Sequence, residues 1–173
     1  MRIMKLGKLA AMAAVAGVAG VAGAQTNGPA GISARLGVFF PTSDLARNLG
    51  KSWFGFGGDY KLQSVNMEPA RGEYASYLSI SADFYEKDSL RAIPLVVNYN
   101  VRAAQLVFSA GVGIDFVRVV GDSTTGLCGQ LGATYEFANS GATTMNPFFI
   151  QAKYFLSSKT DLNGFGVYLG YRF

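Results

Sequence analysis

Eight stretches of this chain alternate between two faces with a period of two, and in each of them one face is free of Asp, Glu, Lys and Arg. They cover about 32–40, 53–62, 77–85, 93–101, 106–117, 127–137, 148–156 and 164–173. Period two is strand geometry, because successive side chains of an extended chain point to opposite sides of the sheet. In the first stretch Ala34, Leu36, Val38 and Phe40 share one face. In the last, Phe165, Val167, Leu169, Tyr171 and Phe173 do. Half of the chain is apolar and 15% is charged, whereas soluble domains carry about a quarter charged residues. Yet no apolar run reaches the roughly 20 residues that a membrane-spanning helix needs. The apolar residues are spread over every second position.

The opposite faces carry Arg35, Asp59, Lys61, Asp83, Asp115, Glu136, Lys153 and Arg172. Keeping charge off one face of every strand is what contact with lipid demands. An Arg or Lys on the lipid side of a barrel costs about 2–4 kcal/mol at the bilayer midplane. Hydrocarbon offers the backbone no hydrogen-bond partners, so a spanning sheet must close on itself. Ten residues at about 3.3 Å each, tilted by about 45°, span roughly 23 Å, close to the apolar band of such proteins. The expected fold is therefore all-β, an eight-stranded antiparallel up-and-down transmembrane β-barrel.

The alternative is a soluble periplasmic lipocalin-like barrel, with the apolar face turned inward around an apolar ligand. The glycines weigh against it. Gly37, Gly55, Gly57, Gly111, Gly113, Gly132, Gly164, Gly166 and Gly170 all share the charged face. A tight lumen needs small residues among long ones, and a solvated exterior does not. Aromatic residues of the apolar face also gather near the strand ends. Tyr60, Tyr99, Tyr135 and Tyr171 lie near one end, and Phe40, Phe54, Phe84, Phe116 and Phe165 near the other. Two such girdles suit two membrane interfaces.

The first 24 residues have the layout of a secretory signal peptide. Arg2, Lys5 and Lys8 precede a small, apolar run from Leu9 to Gly23, and Ala22-Gly23-Ala24 forms an A-x-A-like cleavage site. Residues 25–173 are then the barrel domain, exported to the outer membrane. Removing those three cations takes the net charge from +4 to +1, which leaves no basic patch for nucleic acid. Cys128 has no second cysteine to pair with, and its place on the inward face reads as structural. The breaks between strands carry turn residues. They include Pro41-Thr42-Ser43-Asp44, Lys87-Asp88-Ser89, Gly121-Asp122-Ser123, Asn139-Ser140-Gly141 and Lys159-Thr160-Asp161, and the longest runs from Gln63 to Glu73.

Some of these residues form recognisable motifs. Ile93-Pro94-Leu95-Val96-Val97-Asn98-Tyr99-Asn100-Val101, followed by Ala110-Gly111-Val112-Gly113-Ile114-Asp115-Phe116, resembles a strand pair of the small outer-membrane barrels, the OmpA/OmpX/OmpW-like group. Phe173, with Tyr171 and Leu169 two and four positions earlier, is similar to the C-terminal signal read by that group's barrel-assembly machinery. The resemblance implies the lipid bilayer as surroundings and the assembly machinery as partner during insertion. Enzymes built on such barrels use a histidine general base, whose pKa lies near operating pH. This chain has no histidine, and no metal cluster or cofactor motif is visible. The expectation is a non-enzymatic barrel, structural or assisting the passage of small hydrophobic molecules.

The lumen carries the functional expectation. Eight strands leave an interior just wide enough for side chains to fill. The four cations and four carboxylates of the inward faces are therefore expected to form an internal ion-pair network. With both chain ends periplasmic, Phe39, Trp53, Tyr85 and Phe155 lie in the outer half, as a candidate apolar vestibule for a small hydrophobic ligand. Trp53 would then be a wall whose loss weakens ligand binding more than folding.

Overall fold

The computed structural model describes residues 31–65, 74–88, 90–119, 122–137 and 147–173. The expected signal segment 1–24 and the turn Asn139-Ser140-Gly141 lie outside them. The strands are β1 (Ile32–Pro41), β2 (Trp53–Val65), β3 (Tyr74–Lys87), β4 (Leu90–Ala103), β5 (Leu106–Val119), β6 (Asp122–Glu136), β7 (Phe148–Ser157) and β8 (Gly164–Arg172). They run antiparallel, each beside its sequence neighbours, and close into a barrel. The seam joins β1 to β8 from Ser33–Arg172 to Pro41–Gly164. The fold is the eight-stranded up-and-down barrel that the alternation implies.

Several strands run beyond their alternating parts. Lys87 pairs with Leu90, Ala103 with Leu106, and Val119 with Asp122, so these three strand pairs stay in register to their ends. Asp122 and Ser123 read as turn residues in the sequence but belong to β6. At strand ends a polar residue meets no apolar surroundings, so the hydrophobic pattern that marks a strand fades before the backbone pairing does. Asp88 and Ala104 take positive φ, 51° and 53°, as the tight turns that match strand twist require. The connection expected to begin at Gln63 begins later, because β2 continues to Val65 past an irregularity between Lys61 and Gln63. Inside β4, the pairing with β3 skips from Tyr85–Ala92 to Ala82–Leu95. Pro94 sits in that gap, and a proline has no N–H to donate to the ladder.

The stretch after β1 is more than a turn. Asp44–Leu49 forms a short helix, α1, with Ser43 as its N-cap: the Ser43 hydroxyl accepts from the Ala46 N–H at 3.2 Å. Six residues do not hold a helix by themselves. This one is anchored to the loop between β7 and β8, where Thr160–Leu162 forms a 3-10 turn. Ser43 Oγ donates to the Asp161 carbonyl at 2.7 Å, and the Thr42 N–H donates to the Asn163 carbonyl at 2.8 Å. From β2, Trp53 Nε1 donates to the Gly50 carbonyl at 2.9 Å. The two loops together cover the barrel end opposite the one where Ile32 and Phe173 lie.

The two faces of the sheet sort as the alternation implies. Leu36, Phe54, Val97, Phe108, Leu131, Ile150, Val167 and Leu169 point outward and are exposed, and Val112 and Leu127 reach 74% and 73%. The register sets Tyr60, Tyr99, Tyr135 and Tyr171 toward the end with the chain termini, and Phe40, Phe54, Phe84, Phe116 and Phe165 toward the end with α1. The inward face holds the buried residues, both apolar and charged.

Candidate functional site

The lumen is built in layers, each set by which inward positions the register brings level. Nearest α1 is an apolar layer. Phe39 stacks on Tyr85 with ring centroids 4.5 Å apart, Trp53 tilts against Phe39 at 5.8 Å, and Phe155 lies 5.7 Å from Tyr85. These four rings are 1–2% exposed. Ala46 of α1, Leu162, Leu90, Val96, Val117 and Tyr168 belong to the same cluster. The rings pack against one another and against Ala46 and Leu162, so almost none of their surface stays exposed. The four residues expected to line a vestibule therefore form a plug. The reason is the α1 loop, which the sequence presents as a turn and the fold turns down onto the ring layer. Trp53 is correspondingly a packed core residue and not a free wall.

Below the plug lies a charged layer. The Arg35 guanidinium donates from Nε (3.0 Å) and Nη2 (2.6 Å) to one oxygen of Asp83, and from Nη1 to Asp59. Lys153 Nζ meets the other Asp83 oxygen at 2.5 Å. Asp83 is the hub, its side chain fully buried between two cations, whereas the side chain of Asp59 keeps 24% exposure. Space for this layer comes from glycine: a Cβ at Gly57, which pairs with both Arg35 and Asp83, would run into the Asp83 carboxylate. Arg35 also lies over the Tyr168 ring, 6.0 Å from its centroid.

An amide layer stands beside it. Gln130 Nε2 donates to Asn98 Oδ1 at 2.5 Å and to Ser81 Oγ at 2.8 Å, and Asn100 Nδ2 donates to Ser79 Oγ at 2.9 Å. At the mouth near the chain termini, one Glu136 oxygen binds Arg172 at 2.6 Å and Arg102 at 2.8 Å, while Arg172 rests over Phe149.

Of the eight charged residues read as one network, six take part in two separate groups: Arg35, Asp59, Asp83 and Lys153 in one, Glu136 and Arg172 in the other. Lys61 joins neither. It is exposed, with its ammonium 5.0 Å from the Tyr77 ring centroid, because β2 reaches the barrel mouth there and a lysine head stays in water when it can. Asp115 is fully buried, and it accepts from the Ser157 hydroxyl in place of a cation. Arg102 was missed, because the alternation of β4 fades after Val101 although the strand runs on to Ala103. Its inward position follows from its register opposite Val107. Cys128 is buried in the apolar cluster. At the end of β8, Leu169 and Tyr171 face outward, the Phe173 N–H donates to the Ile32 carbonyl at 2.9 Å, and the Phe173 ring lies 4.9 Å from that of Tyr171.

No protein-family profile matches the chain, and no curated protein matches it. Among solved structures, the outer membrane protein Ail of Yersinia pestis, determined as a backbone structure in a phospholipid bilayer nanodisc, aligns with a TM-score of 0.47 and 14% identity. The alignment covers 82% of this chain and 98% of that one.

Proposed function

We propose that this chain is an integral barrel of a bacterial outer membrane with a closed lumen, and that its role is structural and non-enzymatic. One observation carries the membrane reading: a closed barrel turns a belt of large apolar side chains outward and keeps the ion pairs of Asp83 and Glu136 inside. In water that arrangement inverts the hydrophobic effect, since a soluble domain rarely exposes apolar patches beyond a few hundred Å². In lipid it is the stable one. The closed lumen rests on the ring plug and on the fully buried Asp83 hub. Passage of small apolar molecules would need the α1 loop and its rings to leave the mouth. The outward Leu169, Tyr171 and Phe173 fit the role of insertion signal for the assembly machinery.

The test is fractionation of cells making the protein, followed by gel electrophoresis of unheated and boiled samples. The expected protein stays with outer membranes through carbonate and urea washes, and its mobility shifts on boiling. Release into the wash with no shift would replace the membrane reading by that of a soluble periplasmic barrel. Planar-bilayer recordings test closure, and the expected trace has no unit conductance.

A further inference from the structure

Resting on the membrane reading above, we propose a binding site for a phosphate-bearing lipid on the outward surface of β4–β6, at the rim near α1. The pairing of β3 to β6 places Glu86, Arg91, Arg118 and Ser123 in one row. That row lies two residues beyond Ile93 and Phe116, which pair with each other at the edge of the apolar belt. Arg91 and Arg118 stand directly opposite each other on neighbouring strands, where like charges repel and destabilise a sheet. Glu86 answers only one of them, binding Arg91 Nη2 at 3.0 Å. Arg118 is exposed and has no ion pair among the described residues. Asp122, close to it in sequence, pairs with Val119 on the other face of the sheet.

A phosphate between the two guanidiniums removes the repulsion and takes charge-assisted hydrogen bonds from both, the geometry for which arginine is suited. The surroundings select a lipid over a free anion. The Arg91 guanidinium lies over the Phe84 ring, 5.4 Å from its centroid, so the charge is held against the apolar belt and not in open water. Along β5 and β6 from Arg118 toward the middle of the belt come the pairs Phe116–Thr125, Ile114–Leu127 and Val112–Gly129. Val112 and Leu127 are the two most exposed large apolar side chains among the described residues. Between them Gly129 leaves a hollow: a Cβ there would meet a single atom, the Gly111 carbonyl, at 3.5 Å. A headgroup phosphate at Arg91 and Arg118 thus has a shallow groove beneath it for an acyl chain.

The refolded barrel is titrated in detergent with phosphatidic acid, phosphatidylcholine and inorganic phosphate, and bound lipid is counted by native mass spectrometry. One phosphatidic acid is expected to stay bound while the other two probes do not. Arg118→Gln and Arg91→Gln should each weaken it about tenfold, the worth of one charge-assisted hydrogen bond. Gly129→Leu, which fills the groove, should weaken phosphatidic acid as well. Lys51→Gln, in the α1 loop, should leave it unchanged. Retention undiminished in Arg118→Gln, or equal loss in Lys51→Gln, overturns the site. Binding of inorganic phosphate as tight as that of the lipid overturns the lipid assignment. Every variant is checked for the boiling-dependent mobility shift. A wild-type barrel that inserts into vesicles but retains no phosphatidic acid ends this inference alone, and one that never inserts ends the membrane reading with it.

Discussion

Asp83 is the residue on which the lumen depends most. Its two oxygens are shared between Arg35 and Lys153, and no part of its side chain meets solvent. Removing one partner of a buried pair leaves the other desolvated and unanswered, at a cost of about 3–5 kcal/mol. Asp83→Ala strands Lys153 and leaves Arg35 with only the partly solvated Asp59, and is expected to lose at least that much. Asp59→Ala should cost less, nearer the roughly 1 kcal/mol of exposed pairs, because Asp59 is partly solvated and Arg35 keeps Asp83. Urea titrations of the two variants in detergent micelles measure the order, and equal losses would contradict the hub. Gly57→Val adds bulk where the Asp83 carboxylate already lies. Such overpacking costs about 1–3 kcal/mol, and the same titration reads it.

Among the elements, α1 has the least local reason to exist and the most tertiary support. Its capping serine, its hydrogen bonds to the loop after β7 and its buried Ala46 make it the lid of the ring plug. Trp53 ties the two together, packed against Phe39 and donating to the Gly50 carbonyl. Trp53→Ala is therefore expected to cost about 3–5 kcal/mol, as for other buried aromatic truncations, measured by loss of the folded gel band on heating. If it folds with wild-type stability, the four rings are a chamber wall after all. The end of β8 behaves differently. Phe173 contributes one backbone hydrogen bond to Ile32, worth about 1 kcal/mol. Deleting it should barely change the stability of refolded barrel while leaving unfolded precursor in the periplasm of cells. Full barrel yield in cells would argue against its role as an assembly signal.

The whole molecule carries an apolar belt on its outer surface, with consequences that single contacts do not have. Leu131 sits in the middle of β6 on the outward face, paired with Ala110 on one side and Tyr154 on the other. Leu131→Arg puts a charge into the apolar belt and is expected to cost about 2–4 kcal/mol in lipid. The same change would be nearly neutral for a barrel in water. Comparing the variant's stability in vesicles with that of Leu131→Ala separates the two surroundings. A cysteine at Leu131 should likewise resist a water-soluble maleimide in vesicles, and labelling as fast as at Lys51→Cys would place that face in water.

Strand count, strand facing and inward placement of charge were legible in the sequence because they depend only on local alternation: a period of two assigns each residue to a face whatever the rest of the chain does. The expectation of paired charges was legible too, since a narrow lumen holds no bulk water to solvate them. Which charge meets which was not, because that depends on how neighbouring strands are staggered around the barrel. Stagger separates Glu136 with Arg172 and Arg102 from the Asp83 group, leaves Lys61 at the mouth and gives Asp115 a serine. The plug was equally hidden. Thr42 to Ser52 carries no strong helical signal, and six residues become a helix only where the loop after β7 and the ring layer are already in place to hold them. Closure of the lumen is thus a property of contacts distant in sequence, decided by the tertiary structure alone.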